Sequence, residues 1–500
     1  MFYLKTGISR KLGASVLAFL IAGTFGVSAK AADQAVVDTP HSDGVQIVEN
    51  NNYGQKAREY WKGTGVYDGY GNYTFQSDET ITASRNGQAP TIGNASNNYF
   101  VDVMNMFAPV MKGGDGSASI DMNGHNLTLI ADHSGTSVNP AGIYVNSGTL
   151  TIKNPGTVNV DIKDGQFGYG LDVEGTSGMG TWNSGTGNAK LVIQNDNDPA
   201  HAVKVRTDGA FNNYGLLFAN GNTGSAEIDI EGLVDLKTPS HDAVRAWTGA
   251  INIGGGNIVS EGTNSWNAIE SALGSKVTVN ADVNKNNVLT VKSDKRDVKI
   301  TGDITAESEG RVALGLATKD SVFKGVVNAD VANFINTEKT YTEGENGVRT
   351  PDPLWGPDSK KWADNPGDVY MALNNGALWD HQQVSTASDA PNKNSRDESR
   401  LARLSADGGR IAQNSSRNIV IDSYGGNASV YYKHDNTNPA TIKGGSVTIK
   451  SADKNSAIIL VTDSKGLEKG LMSGADSKDR ELVSRTMSAL AGKLVYEQYK

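Results

Sequence analysis

The feature that most constrains this chain is a repeated pattern of short apolar strands between residues 141 and 283. Each repeat holds three segments in which apolar and polar residues alternate, separated by Gly, Asn, Asp or Thr, as is typical of strands joined by turns. The repeats open at Ala141, Tyr169, Tyr214, Asp242 and Asn267. Openings that recur roughly every 25 to 45 residues indicate a stack of similar supersecondary units.

Three strands without a helical segment are typical of one coil of a parallel β-helix. We therefore predict an all-β chain that forms a single-stranded right-handed parallel β-helix, with an N-terminal cap and a C-terminal amphipathic helix. The handedness follows only from a family resemblance described below. An antiparallel sandwich with irregular strand spacing is the alternative. In the predicted coils, alternation places Ile228 in the interior and Asp161, Asp172 and Asp229 on the solvated outside.

Composition narrows the classes of partner and cofactor. The chain has 500 residues, 58 of them Gly and none Cys, which excludes disulfides and Cys-bound zinc. Its net charge of −9 argues against nucleic acid and anionic lipid as general partners. We expect no cofactor, no metal and no nucleic-acid partner.

Residues 1–31 have the pattern of a secretory signal peptide. Lys5, Arg10 and Lys11 precede an apolar run, and Ala29-Lys30-Ala31 matches the small-x-small cleavage pattern. A membrane anchor is the alternative, but the run is short and contains glycine residues. The prediction is export to the cell surface, the outer membrane or the extracellular space.

The remaining chain divides into five predicted segments. Residues 32–98 are rich in aromatics and predict an N-terminal cap, with a sugar-stacking platform as the alternative. Residues 99–335 predict β-helix, 336–410 predict coils with long projecting loops, and 411–470 predict β-helix again. Residues 471–500 predict a helix, because Val483, Met487, Leu490 and Leu494 are spaced along one helical face.

The C-terminal region resembles a known family. Asn418–Gly426, Val430–Asp435 and Ile442–Ile449 are similar to the passenger region of Gram-negative autotransporters of the pertactin-like and pectin-lyase-like kind, over about residues 368–500. The resemblance implies a right-handed β-helix exported through a C-terminal outer-membrane β-barrel. The sequence shows no set of barrel strands. We therefore expect a fragment of a longer protein, or a passenger whose translocator barrel is encoded separately.

Motifs for catalysis are weak in this sequence. Asp132-His133-Ser134 is the only compact trio of triad types, and neighbours in a strand point to opposite sides. Gly254-Gly255-Gly256 precedes no helix, so it predicts no phosphate site. The histidines show no metal-ligand spacing; they are His41, His125, His133, His201, His241, His381 and His434.

Two functions are left open by the sequence. The first is an exported cell-surface passenger, structural or adhesive and not an enzyme, which contacts host or bacterial surface glycans or proteins. Its possible ligand-contact loop carries Trp355, Trp362 and Trp379. The second is a secreted carbohydrate-active β-helix, a polysaccharide lyase or glycosidase, in which the same Trp residues lie near Asp352, Asp358 and Asp364.

Overall fold

The structure is a computed structural model. It describes residues 2–7, 45–48, 57–61, 65–67, 72–84, 117–136, 141–145, 148–165, 169–175, 188–207, 215–221, 224–239, 242–261, 267–330, 341–343, 349–351, 366–384, 398–434, 441–462 and 467–497.

Strands dominate the described residues. In the first third of the chain they are β1 (Phe2–Gly7), β2 (Val45–Val48), β3 (Ala57–Trp61), β4 (Val66–Tyr67), β5 (Asn72–Thr74), β6 (Glu79–Ser84), β7 (Ser117–Asp121), β8 (Leu127–Thr136), β9 (Ala141–Val145), β10 (Gly148–Lys153), β11 (Val158–Gly165) and β12 (Tyr169–Glu174). The middle holds β13 (Ala189–Gln194), β14 (Val203–Thr207), β15 (Gly215–Asn220), β16 (Ala226–Thr238), β17 (Val244–Trp247), β18 (Ala250–Ser260), β19 (Ile269–Ala272), β20 (Lys276–Val279), β21 (Ala281–Val283), β22 (Leu289–Val291), β23 (Val298–Thr301), β24 (Ile304–Glu307), β25 (Arg311–Leu316), β26 (Val322–Lys324) and β27 (Val327–Asp330).

The last part of the chain adds strands and two helices. The strands are β28 (Tyr341–Glu343), β29 (Arg349–Pro351), β30 (Asp368–Asn374), β31 (Leu378–His381), β32 (Glu398–Gln413), β33 (Asn418–Tyr432), β34 (Val447–Ala452), β35 (Ala457–Thr462) and β36 (Leu494–Tyr496). The helices are α1 (Leu467–Leu471) and α2 (Ser477–Ala491), and a 3-10 turn covers Pro199–His201.

Apolar residues stack on one another across the parallel strands. One column consists of Leu150, Leu191, Ile228, Ile251, Val277, Val312 and Val369. All of them are fully buried. Because neighbouring strands lie about 4.8 Å apart, each side chain covers the one before it, and this burial is the main source of stability. The predicted interior position of Ile228 is confirmed.

The strands form three rows of parallel neighbours. In the first row β7 is followed by β10, β13, β16, β18, β20, β25 and β30. In the second row β8 is followed by β11, β14, β16, β18, β23, β26 and β31. The third row is a separate seven-stranded sheet in the order β9-β12-β15-β17-β19-β24-β27. The first two rows thus share β16 and β18.

The shared strands overturn the predicted fold class. β18 pairs with both β20 and β23, and β32 pairs with both β30 and β31, so the pairing runs in a closed circuit. The circuit β18-β20-β25-β30-β32-β31-β26-β23 is a closed, barrel-like ring of eight parallel strands within a 23-stranded sheet. The prediction of a single-stranded right-handed parallel β-helix is therefore wrong.

Two rows of strands are joined because the backbone of β18 continues through a bend without losing its ladder hydrogen bonds. In the sequence, Ala250–Ile253 and Asn257–Val259 are two alternating segments divided by three glycines, but β18 continues through both. Gly256 allows this with φ of +106°, and a Cβ there would lie 2.1 Å from the carbonyl oxygen of Val234. Only glycine accepts this conformation and approach. The backbone therefore keeps its ladder bonds through the bend and joins two rows into one sheet.

Shorter antiparallel pairs add to the parallel rows. They are β2–β3, β4–β5, β21–β22 and β28–β29. β1, which falls in the predicted leader, pairs antiparallel with β35. Residues 8–31 of that leader lie outside the described residues. In the predicted cap, Tyr73 and Phe75 are fully buried in the core and contact each other edge-to-face at 5.7 Å.

The C-terminal helix is shorter than the predicted segment 471–500. Asp476 caps α2 by accepting a hydrogen bond from the backbone of Asp479, and the helix ends at Ala491. Leu490 is buried in the core, with Met487 packed beside it. Leu494 begins β36, which pairs with β34, because a strand edge was open to it there.

Candidate binding groove

A row of outward-facing polar side chains crosses the second row of strands. Strand register aligns Thr80, Thr128, Asn159, Lys204, Asp235, Asn257 and Lys299. Each is half-buried or exposed, and all except Thr80 lie in a strand in which a neighbouring position is a buried apolar residue. Six steps of about 4.8 Å give a row about 29 Å long. We call this set the polar row.

Two cavities lie over the polar row. The larger, of about 570 Å³, spans Lys204 to Lys299 and has Leu233, Val234 and Gly256 in its floor. The smaller, of about 310 Å³, spans Thr80 to Lys204. Because Lys204 borders both, the cavities are parts of one groove that runs across the strands.

The first wall of the larger cavity follows β13 and is held by a buried asparagine. Asn195 donates through Nδ2 to the carbonyl oxygens of Leu233 (2.8 Å) and His201 (3.3 Å), and its Oδ1 accepts from the backbone of Gly232 at 2.9 Å. Asp198 caps the 3-10 turn. These bonds tie the wall to the floor.

The opposite wall, residues 292–297, is held in a similar way. Asn280 donates to the carbonyl oxygens of Ser293 (2.7 Å) and Gly315 (3.0 Å) and accepts from the backbone of Ser293. The backbone of Gly256 donates to the carbonyl oxygen of Asp297 at 2.8 Å. Both walls therefore rest on buried amide side chains, and the groove is formed before any ligand binds.

The larger cavity is lined by more cationic than anionic side chains, although the whole chain is acidic. Four cationic side chains line it, Lys204, Lys295, Arg296 and Lys299, against the carboxylates of Asp235 and Asp297. Among the described residues, Lys204 and Lys295 make no side-chain hydrogen bond or ion pair. An acidic chain, with net charge −9, thus has an excess of positive charge in this cavity.

Both carboxylates of the cavity are already bound. Asp235 accepts from Arg206 and, at 3.0 Å, from Asn257. Asp297 accepts from Thr318 at 2.6 Å and lies 3.7 Å from Lys299 Nζ. A pair of carboxylates working as general acid and base needs freedom to exchange protons with a substrate. This arrangement instead favours holding a ligand.

Arg296 is a cation of this cavity with few hydrogen bonds. Its Nη1 donates to the carbonyl oxygen of Gly254 at a long 3.4 Å. Its Nε is buried and has no hydrogen-bond partner among the described residues. Burial lowers the pKa of Arg296, although the negative charge of Glu231 acts in the opposite direction. An oxyanion in the cavity would offer the guanidinium a charge-assisted acceptor in addition to this single long hydrogen bond.

Of the predicted tryptophan site, only Trp379 lies among the described residues. Trp379 is fully buried, donates from Nε1 to the carbonyl oxygen of Gly325 at 3.0 Å, and stacks on Phe323. It therefore belongs to the core and not to a ligand loop. Trp355 and Trp362, with Asp352, Asp358 and Asp364, lie outside the described residues.

The Asp predictions divide into two outcomes. Asp161 and Asp229 lie at the half-exposed outward positions predicted for them. Asp172 was predicted to be solvated, and this is wrong: it is only 2% exposed. Burial raises the pKa of Asp172 well above its usual value, and repulsion from Glu174 raises it further. Its strand lies in the seven-stranded sheet, both faces of which are covered.

The outer face of that sheet carries a buried charge cluster that the sequence analysis missed. Arg245 Nε donates to Glu270 Oε1 at 3.1 Å, and its Nη1 lies 3.6 Å from Asp242 Oδ2. Trp247 donates to the same Glu270 oxygen at 2.8 Å, and the Arg245 guanidinium lies 4.0 Å from its ring centre. We call Asp242, Arg245, Trp247 and Glu270 the buried charge cluster. All except Trp247 are below 10% exposure, so an external ligand has no access.

His381 was listed among the scattered histidines, and the structure places it in the interior. Gln413 Oε1 accepts from His381 Nδ1, and Nε2 accepts from Ser399 Oγ at 2.9 Å. Burial lowers the pKa of His381 to about 4, so the ring is neutral at pH 7. The Ser-His pairing resembles a catalytic dyad only in its residue types, because all three side chains are buried.

Metal and membrane sites have no support in the described chain. No group of three or more His, Cys, Asp or Glu there could hold a metal ion. None of its helices combines the length and the apolar character needed to cross a membrane.

Comparisons with protein-family models, curated proteins and solved structures find no significant match.

Proposed function

We propose that this protein is an exported, non-enzymatic surface protein of the adhesion type, whose groove binds an extended carbohydrate. The groove carries the proposal. It is about 29 Å long, open and lined by hydroxyl, amide and charged groups, which are the groups that bond to sugar hydroxyls.

The sequence supports the other parts of the proposal. The leader pattern in residues 1–31 and the absence of cysteine agree with export, and residues 368–500 resemble autotransporter passengers. The carboxylates of the larger cavity are bound to Arg206, Asn257 and Thr318, which favours binding over bond cleavage.

The test is a panel of soluble polysaccharides, scored for both binding and cleavage. Asn257→Trp places a large side chain on the groove floor and should abolish binding. Asn252→Trp is the matched control, because Asn252 faces outward on the same strand but in the first row. We expect the control to bind normally, and thermal unfolding of both variants verifies folding.

Two results would contradict the proposal. Binding that survives Asn257→Trp in a folded protein would remove the groove from the function. New reducing or unsaturated ends that are lost in Asp235→Asn or Asp297→Asn would make the protein an enzyme, the second function that the sequence leaves open.

A further inference from the structure

We infer that the larger cavity selects an anionic linear polysaccharide, held by Lys204, Lys295 and Arg296 through its carboxylate or sulfate groups. The inference rests on the proposed function and adds the chemical class of the ligand. It begins with the excess of cations in the cavity of an acidic protein.

The positions of the cations indicate a polymer rather than a single small ion. Lys204 and Lys299 lie on the polar row three strands apart, about 14 Å. Lys295 and Arg296 lie on the wall. No single carboxylate or sulfate spans both ends of this distance, whereas successive charged sugars along a chain do.

The hydrogen bonds and ion pairs of these cations also indicate an anionic ligand. Lys204 and Lys295 have no side-chain partner among the described residues, and Arg296 makes one long hydrogen bond, to the carbonyl oxygen of Gly254. Elsewhere in the protein, Arg245 is paired with Glu270 and Arg400 with Asp422. Three cations thus line one cavity with donors unused, and an oxyanion is the group that bonds to such donors.

The residues between the cations favour a glycan over a nucleic acid. Asp235 and Asn257 lie between Lys204 and Lys299 on the polar row and offer acceptor oxygens. Hydroxyl groups of sugars donate to such oxygens, whereas the backbone of duplex DNA has no sugar hydroxyl group to donate to them. The far end of the groove is lined by Asp78 and Glu79, which would also repel a continuous polyanion of high charge density. Sugars whose charges are separated by hydroxyls fit this alternation.

The experiment measures binding of the full chain to four probes: dextran sulfate of low substitution as a sulfated glycan, polygalacturonate as a carboxylated glycan, dextran as a neutral glycan, and duplex DNA. We expect dextran sulfate or polygalacturonate to bind more tightly than dextran by about tenfold or more, with affinity that falls as salt rises. Because one probe carries only sulfate and the other only carboxylate, whichever of the two binds identifies the anionic group.

The variant pair is Lys204→Gln with Arg296→Gln, matched by Lys190→Gln with Lys237→Gln. Both pairs remove two positive charges, but Lys190 and Lys237 lie outside the cavity and pair with Glu227 and Glu261. The cavity pair should weaken binding of the acidic glycan by about tenfold or more, and the control pair by less than about twofold. Thermal unfolding verifies that both fold.

The outcomes separate this inference from the proposed function. If dextran binds as well as the acidic glycans and Asn257→Trp still abolishes binding, the groove binds carbohydrate but the inference about charge is wrong. If both pairs weaken binding equally, only net charge matters, and the inference is again wrong. If duplex DNA binds as tightly through Lys204 and Arg296, the ligand class is wrong. If no glycan depends on the groove, the proposed function fails as well.

Discussion

Two outward faces of this molecule carry polar side chains in strand register, but they differ in the burial and pairing of their charged groups. On the polar row, Lys204 is half-exposed and has no ion-pair partner among the described residues. On the seven-stranded sheet, the aligned row contains Asp172, Phe218, Arg245 and Glu270, all nearly inaccessible. There, Arg245 forms ion pairs with Asp242 and Glu270.

The difference shows which face is available for binding. A charge enclosed by protein loses its hydration and must be compensated by a neighbour, as Arg245 compensates Asp242 and Glu270. A charge beside an open groove keeps its hydration and can exchange it for a ligand. Alternating polar residues therefore stabilise the fold on one face and can recognise a partner on the other.

The largest expected effect comes from breaking the buried charge cluster. Arg245→Ala leaves Asp242 and Glu270 without their cation, and should lower the free energy of unfolding by about 3–5 kcal/mol. Arg206→Ala is the matched control, because it removes an Arg–carboxylate pair at the half-exposed groove edge. The control should cost less than about 1 kcal/mol in chemical denaturation. Equal losses would mean that the two faces are not different environments.

The next largest effect is expected at His381, which is buried in the interior. Its pKa in the folded state is about 4, below the unfolded value of about 6.5. The neutral ring is favoured by folding, so stability is complete above pH 6.5 and is lost as pH falls towards 4. The loss should be on the order of 3 kcal/mol. In His381→Gln, the free energy of unfolding should fall less steeply between pH 7 and pH 4, by an amount that corresponds to the uptake of about one proton. An unchanged slope would contradict the assignment.

A smaller effect, of opposite sign, is expected at Asp172. Burial raises the pKa of this carboxyl, and its Oδ1 has no hydrogen-bond partner, so the charged form is disfavoured in the folded state. Stability from this group is therefore highest at low pH and declines as pH rises above the unfolded pKa. Asp172→Asn should stabilise the protein at pH 7 by about 1 kcal/mol. Asp161→Asn, on the half-exposed face, should change stability little, and a destabilised Asp172→Asn would contradict the burial argument.

The smallest expected change in stability is on the polar row. Lys204→Gln removes a half-exposed cation that has no partner within the described part of the chain, so the free energy of unfolding should change by less than about 0.5 kcal/mol. Binding of an acidic glycan should nevertheless weaken. Denaturation and binding measured on the same sample test whether the two effects separate, and a large loss of stability would assign Lys204 a structural role.

Alternation in the sequence was a reliable guide to the side on which a strand residue lies. Leu150, Ile228 and Val277 each alternate with polar residues in the sequence, and all are buried in one column. Asp161 and Asp229 face outward as predicted. Alternation did not predict that the outward position of Asp172 is covered, because the pattern of a strand carries no information about what packs over its sheet. For the same reason Trp379, expected in a ligand loop, lies in the core.

The amino-acid pattern was enough to predict the strands of residues 141–283 and their period of two, because these depend on residues close in the chain and on burial of alternate side chains. It could not predict that β18 and β32 join two rows into a closed ring, since this requires ladder bonds to persist through the bends. Only the tertiary structure decided the groove. Thr80 and Lys299 are far apart in sequence, and only strand register aligns them on one row.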